Sequence, residues 1–359
     1  MIKYIALYLP QYHPIQENND WYGNGFTEWV NVAKAKPLFR NHYQPHIPKD
    51  LGFYDLRLTE TRREQAKMAQ EYNVSAFCYW TYWFGNGKQL LEKPLWDVFN
   101  DKEICLPFCM AWANHSWEKK LWDKKSKNEL LVEQQYLGAS DYEMFFYKYL
   151  PLFKDQRYLR VHNKLFFLVF DPLADGVSLF IETWKLLAKK EGIDGFFFVG
   201  KDSDCRNKET ILNVGFDAVY DDNVFNIHHK LSLPKKAALY FKRKFLGMPT
   251  VFQYKDAIKY MLSENSSDSR VIPVIAPNWD HSPRSGRNAI LLDKCDPKYF
   301  ESLVESVSAI VSKKDTEDQL VIIKSWNEWG EGNHMEPDLK YGRGYLEALK
   351  RVSDFYKDK

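Results

Sequence analysis

Eight short apolar runs, most of them followed by a stretch with helical spacing, constrain this chain more than any other feature of its sequence. They are residues 4–9 (YIALYL), 74–80 (VSAFCYW), 106–113 (LPFCMAWA), 165–170 (LFFLVF), 195–199 (GFFFV), 216–220 (FDAVY), 271–276 (VIPVIA) and 320–325 (LVIIKS). Continuous apolar strands, as opposed to alternating ones, suit a parallel sheet covered on both faces. Helical patterns fall at 56–72, 90–99 (with Pro94 in its first turn), 141–150 (with Asp141 in the N-cap position), 177–190, 299–312 and 345–356. A helix over 254–262 lies within a longer insertion, and the link between the fifth and sixth strands offers only a short helix over 207–213. Eight such units predict an α/β fold, a single (β/α)8 barrel with elongated βα loops. The alternative is a doubly wound open sheet, but no glycine-rich phosphate turn follows the first strand. Neither an internal repeat nor a low-complexity linker marks a second unit, so residues 1–359 read as one catalytic domain with a basic helical insertion around 225–265.

The charge balance excludes some partners. With 50 basic and 48 acidic residues the net charge is +2, and no global field points to nucleic acid. Five cysteines, an odd number, with Cys105 and Cys109 in an apparent buried strand, suggest reduced thiols and no disulfide framework. The Cys105 to Cys109 spacing lacks a second pair or clustered histidines, so neither metal nor cofactor is expected. The opening MIKYIALYLPQYHP is too short for a secretory core, and no run approaches a membrane span. A cytoplasmic protein, with membrane association left open, is the expectation.

In a barrel of this kind the reactive groups sit on loops leaving the C-terminal ends of the strands. Reading those ends in order collects Tyr8, Gln11, Tyr12 and His13; Trp80, Tyr82 and Trp83; Trp112, Asn114, His115 and Trp117; Asp171; Lys201 and Asp202; Asp221 and Asp222; Trp279 and Asp280; then Asn327, Glu328 and Glu331. Aromatic rings and carboxylates therefore meet at one rim. Aromatic residues reach 16% of the chain, and flat rings suit the C–H faces of sugars, although aromatic-rich core packing accounts for many of them. A glycan site is the reading that this coincidence favours, with Tyr8, Tyr12, His13, Trp80, Tyr82, Trp83, Trp112, Asn114, Trp117, Asp221, Trp279, Asn327 and Trp329 as candidate substrate contacts.

The string SWNEWGEGN, residues 325–333, carries the candidate catalytic pair, Glu328 and Glu331. Glycoside cleavage uses two carboxyl groups on one sugar centre, and closely placed carboxyls raise the pKa of one of them. E-x-x-E alone is a weak signal, shared with exposed surface pairs; its position after the eighth strand between Trp326 and Trp329 turns the balance. Gly330 and Gly332 permit the tight backbone needed to aim both groups together. The long early loop, residues 25–57, holds Glu28, Trp29, His42, Tyr43 and His46, which either line the site or plug one end of the barrel. The segment 233–247 (LPKKAALYFKRKFLG) reads either as a solvated charged helix packed by its apolar face or as a helix in weak contact with an anionic membrane surface or glycan.

The strings YLPQYHPI, NDWYGNGFTEWVNVAKAKPLFRNHYQPHIPKDLGFYDLR, YWTYWF, FCMAWANHSW, SWNEWGEGNHMEPD and KYGRGYLEAL together resemble the WbsX-type proteins of bacterial surface-polysaccharide gene clusters. Those proteins carry a glycosyltransferase label but look like glycoside hydrolase family 99, the endo-α-mannosidases and endo-α-mannanases. The resemblance to the WbsX type spans nearly the whole chain; that to family 99 rests on the barrel and the NEWxEG element. It implies that Glu328 deprotonates the sugar 2-hydroxyl and that Glu331 is the acid/base of a retaining route through a 1,2-anhydro sugar. The expected activity is endo-hydrolysis of internal α-linked, mannoside-like bonds in a bacterial surface polysaccharide or oligosaccharide. A glycosyltransferase of polysaccharide assembly is the alternative, for which Asp202 and Asp204 (DSD) are the single formal metal–nucleotide motif; a non-catalytic glycan-binding scaffold is another.

Overall fold

A computed structural model describes residues 1–119, 129–203 and 205–357. Eight parallel strands form its centre: β1 (Lys3–Tyr8), β2 (Ala76–Trp83), β3 (Phe108–Trp112), β4 (Lys164–Val169), β5 (Phe196–Asp202), β6 (Ala218–Asp221), β7 (Val271–Ile275) and β8 (Leu320–Ile323). Each pairs with the next in sequence, and β1 pairs with both β2 and β8, so the sheet closes on itself. Closure sets Ile5 against Ala76 on one side and Ile322 on the other. The fold is a (β/α)8 barrel, as the eight apolar runs predict.

The outer layer is built by α1 (Thr59–Glu71), α2 (Lys93–Asn100), α3 (Ala139–Phe153), α4 (Val177–Lys190), α5 (Lys208–Val214), α6 (Leu233–Leu246), α7 (Pro297–Val311) and α8 (Gly344–Lys357). No helix among the described residues is long and apolar enough to cross a membrane. The sixth helix departs from the pattern, because none of its residues is buried; Met261 and Tyr254, from the short turns that follow it, are buried in its place.

Several sequence expectations are corrected. Gly138, not Asp141, occupies the N-cap of α3, and Asp141 uses its carboxylate to accept from Trp83 Nε1 at 3.0 Å and the Asn86 amide at 2.6 Å. Cys105 lies outside β3 and is exposed, whereas Cys109 is buried. The helix over 254–262 breaks into a turn at Tyr254–Ala257 and a 3-10 turn at Ile258–Tyr260. Two outer pairings had no clear sequence signal: a hairpin of Trp117–Lys119 with Glu129–Val132, and a parallel pair of Thr250–Gln253 with Ile290–Asp293.

Much of the aromatic content is core. Trp184 of α4 meets Phe145, Phe146, Phe153, Phe167, Phe180 and Phe196 with ring centroids 4.5–5.6 Å apart, and its Nε1 donates to the Tyr142 carbonyl. This cluster binds α3 and α4 to β4 and β5. Trp184→Ala is expected to cost about 3–5 kcal/mol of unfolding free energy, the range for truncating a large buried aromatic. Chemical denaturation checks this, and a loss below about 1 kcal/mol would contradict the packing described.

Candidate active site

The candidate catalytic carboxyls stand on a tight hairpin beyond β8. Asn327–Glu328 pairs antiparallel with Asn333–His334, and the 3-10 turn Trp329–Glu331 joins them. Gly332 closes the turn at φ +50, where a Cβ would sit 2.8 Å from the Asp280 side chain. A Cβ on Gly330 would collide with Glu28 Oε2. Position 332 therefore needs glycine, and at Gly330 the absence of a side chain leaves room for the Glu28 carboxylate.

Neutral side chains hold this hairpin against the barrel. Asn327 accepts from the Leu9 amide at 2.7 Å and donates to the Leu9 carbonyl at 3.0 Å, tying the loop after β8 to the end of β1. The Tyr12 hydroxyl donates to the Asn327 carbonyl and accepts from the Trp329 amide. The Trp329 ring stacks on His334 at 3.7 Å, and its Nε1 donates to Glu336, which also accepts from Tyr54 and Gln65. Burial pushes the Glu336 carboxyl up to about 7 despite those three donors.

The two acids meet different surroundings. Glu328 accepts from Trp80 Nε1 at 3.2 Å. Glu331 is held by Arg284 Nη1, and His281 Nε2 lies 3.7 Å away; Arg284 also donates from Nε to Glu28 Oε2 at 3.1 Å. Burial, and then the negative charge of Glu331, push Glu328 up to about 8. Glu331 is opposed by the same burial, but Arg284 and then His281 hold it down to about 2. The pair therefore carries one proton between them at neutral pH, with Glu328 pushed to be the more basic member by burial and Glu331 the more acidic by Arg284. The resemblance to family 99 implies the reverse order, with the acid at Glu331.

Across the rim, two ammonium groups share one carboxylate oxygen. Lys324 Nζ lies 2.6 Å and Lys201 Nζ 3.4 Å from Asp222 Oδ2. Burial opposes the Asp222 charge, yet the two lysines hold its carboxyl down to about 2. Lys201 also sits 3.9 Å above the Phe170 ring, and Lys324 sits 4.7 Å from that of Trp279.

The family model described as glycosyltransferase WbsX matches residues 4–349. The chain belongs to this WbsX family. Proteins named WxcX from two strains of Xanthomonas campestris pv. campestris, B100 and ATCC 33913, are 35% and 34% identical over 355 residues, covering 97% of this chain and 49% of each relative. The chain spans about half the length of the curated relatives it matches. Among solved structures, the GH99 endo-α-mannosidase of Bacteroides thetaiotaomicron superposes with a TM-score of 0.59 at 14% identity, covering 99% of this chain and 97% of that one. A glycoside hydrolase-like protein superposes with a TM-score of 0.63 at 13% identity, covering 98% and 93%. Those likenesses show that this WbsX chain shares the barrel fold.

Within the WbsX barrel, strand parity sorts the aromatic candidates. Trp80 and Tyr82 lie beside the carboxyl pair: Trp80 bonds Glu328, and the charges of Glu328 and Glu331 add to the burial that raises the Tyr82 hydroxyl. Trp279 stands by Lys324. Trp83, one residue out of phase, stacks on Phe145 at 4.8 Å in the helix layer, where Trp112 also packs, 4.8 Å from Phe180. Tyr8 is buried against Phe77 and Tyr79 with its hydroxyl on Gln65, so the rim position read for Tyr8 and Trp112 gives no stacking face. Tyr12, Asn327 and Trp329 hold the hairpin. Asn114 latches Asp171 through both its side-chain amide atoms. Trp117 packs edge-on to Tyr82 and Trp21, His13 is buried, and Asp221 accepts from Ser263 of the insertion. Asp202 is buried and accepts from the Asn207 amide; Asp204 lies outside the described residues.

The residues of the early loop divide. Glu28 joins the site through Arg284, whereas His42 bonds Asp280 at 2.7 Å and Trp29 packs behind Tyr12 and Trp329. His46, His334 and Asp338 bring potential metal-ligating atoms within 4.8 Å of one another, but His46 Nδ1 and His334 Nε2 already bond each other at 2.9 Å. Arg284 and Lys324 were not among the sequence candidates. Arg284 lies in a loop without periodic signal; Lys324 had one, as the charged residue ending an apolar strand.

Carbon-detected NMR of the side-chain carboxyls should show Glu328 titrating near about 8 and Glu331 ionised down to about 2. Arg284→Met removes the cation beside Glu331 and should move its midpoint upward. Two carboxyls titrating together near the ordinary glutamate value would contradict a shared proton.

Proposed function

We propose that this chain is a retaining, endo-acting glycoside hydrolase that cleaves internal α-linked, mannoside-like bonds of a bacterial surface polysaccharide. The observation that carries the reading is the placement of Glu328 and Glu331 on one tight hairpin, the first on the Trp80 indole and the second on the Arg284 guanidinium. The WbsX family, the shared barrel and the similarity to an endo-α-mannosidase support it.

The reaction needs one ionised and one protonated carboxyl on the same sugar, which the pair supplies. A sugar 2-hydroxyl donating to Glu328 favours its ionised form and passes the resting proton across to Glu331. Glu328 then takes the 2-hydroxyl proton as O2 attacks C1, and Glu331 protonates the departing glycosidic oxygen as the C1–O bond breaks. Water opens the 1,2-anhydro ring at C1, losing its proton to Glu331 while Glu328 returns its own to O2. Bonds and protons balance, and the pair ends with the one proton it began with. Lys201 and Lys324 offer donors to sugar hydroxyls across the rim.

Glu331→Gln should lower turnover of an unactivated α-mannan oligosaccharide by about a hundredfold to ten-thousandfold, while retaining much of the activity on an aryl mannoside whose leaving group needs no proton. Glu328→Gln should lose both activities. The reverse pattern would exchange the two roles, and unchanged turnover in both variants would reject the site. In the wild type, kcat/KM should fall as pH rises through about 8, where the free pair loses its last proton.

The glycosyltransferase description of the family model favours a second reading, in which the same pair transfers a sugar to a growing chain. Calorimetric binding of a sugar nucleotide together with product elongation, and no release of reducing ends, would select it.

A further inference from the structure

The insertion after β6 carries a helix that the barrel does not use. None of the 14 residues of α6 is buried. Leu233 is 82% exposed, Phe245 62% and Phe241 54%, and Tyr240 is open as well. For residues packed against the body of a protein, such exposure of large apolar side chains on one element is unusual. At 100° per residue, Leu233, Ala237, Tyr240 and Phe241 fall on one face and Phe245 on its border. The opposite face, with Lys235, Ala238, Leu239 and Lys242, lines a groove against Val251, Phe252 and Tyr260. The helix is thus seated by its groove side, and its apolar stripe points away from the barrel.

The charges single out what would cover that stripe. The helix contains five basic residues and no acidic one. Lys236 and Arg243 border the apolar face, while Lys244 lies within it and passes its ammonium over the Tyr240 and Phe245 rings at 5.4 and 5.5 Å. A second protein would have to match apolar and cationic groups mixed on one narrow strip. A bilayer with anionic headgroups meets both demands at once, taking the rings at the depth of the acyl boundary and the ammonium groups at the phosphates.

We infer that α6 docks the protein on the surface of an anionic lipid bilayer, lying in the plane of the interface. The insertion leaves the C-terminal end of β6, the same rim that carries the carboxyl pair, and Phe225 at its start packs 5.2 Å from Trp279. Docking would therefore hold the glycan site near the membrane, where a lipid-borne polysaccharide would present itself. This consequence rests on the proposed glycan activity; the docking itself does not.

Vesicle flotation tests the docking without any glycan. The full chain should float with phosphatidylcholine vesicles containing phosphatidylglycerol, should stay behind with phosphatidylcholine alone, and should be released by salt. Replacing Lys236, Arg243 and Lys244 together by Gln should weaken partitioning by roughly a hundredfold or more, at several-fold to tenfold for each charge near the surface. Phe241→Ser with Phe245→Ser should weaken it by about tenfold or more while leaving the melting temperature unchanged, since neither ring supports the core. Absence of wild-type flotation at low salt would overturn the inference. So would flotation indifferent to both sets of substitutions, or light scattering that gives a dimer which the two serine substitutions dissociate. A failed glycosidase assay with normal flotation would reject the proposed function alone.

Discussion

The two hydrogen bonds between the Asn327 side chain and the backbone of Leu9 hold together everything that this barrel rim does. They join the loop after the last strand to the end of the first, at the seam where the sheet closes. An amide side chain carries a donor and an acceptor side by side and so satisfies the N–H and C=O of one residue together, which an ionised carboxylate, an acceptor only, cannot. With Tyr12 clamping the Asn327 carbonyl and the Trp329 amide, the hairpin backbone is fixed at both ends of Glu328. The hairpin geometry is therefore set by neutral groups, and the charged groups of Glu328 and Glu331 take no part in holding its backbone.

Those charged groups form two partly separate sets. On one side Arg284 divides its guanidinium between Glu28 and Glu331. On the other, Lys201 and Lys324 share Asp222. Each of these cations is half-buried beside a carboxylate, which offsets the cost of removing the charge from water. Glu328 is the acid left without a direct cationic partner, with an indole N–H as its donor. That difference, more than the shared burial, splits the pair: the acid with a guanidinium ionises and the acid with an indole keeps the proton. Burial lowers the Lys201 ammonium from its ordinary lysine value, and the Asp222 carboxylate opposes that shift.

The barrel was legible in the sequence because its strands are buried on both faces, and continuous runs such as LFFLVF have few other uses in a chain of this composition. The carboxyl pair was legible because two glutamates followed the eighth run with glycines between and after them. What resisted reading was direction. Trp80 and Trp83 look equivalent in the sequence, but one reaches Glu328 and the other stacks on Phe145, because strand residues alternate between the barrel interior and the helix layer. Arg284 was invisible for a different reason. It comes from the loop after β7, a short turn at Ser282–Ser285, and no periodicity links it to Glu331, 47 positions away. Asp141 was misplaced because a carboxylate near a helix start suggests a cap, whereas here it serves the Trp83 indole and a neighbouring loop amide.

Fold and chemistry separate in this protein, and the separation explains how far the structural likeness reaches. A barrel at 13–14% identity can be rebuilt from any eight strands that fill its interior and cover its outside, so a TM-score of 0.59 constrains packing and not substrate. Substrate choice belongs to the loops, and here the long ones do different work. The loop after β1 reaches under the hairpin with Trp29 and His42 and into the site with Glu28. The loop after β6 contributes Asp222 to the lysine pair and Phe225 against Trp279, then carries α6 with none of its residues buried. Glu28 touches the pair through Arg284 without fixing the hairpin backbone, and Trp279 stands by Lys324. A change at Asn327 or Tyr12 would disturb the pair itself, whatever sugar it met.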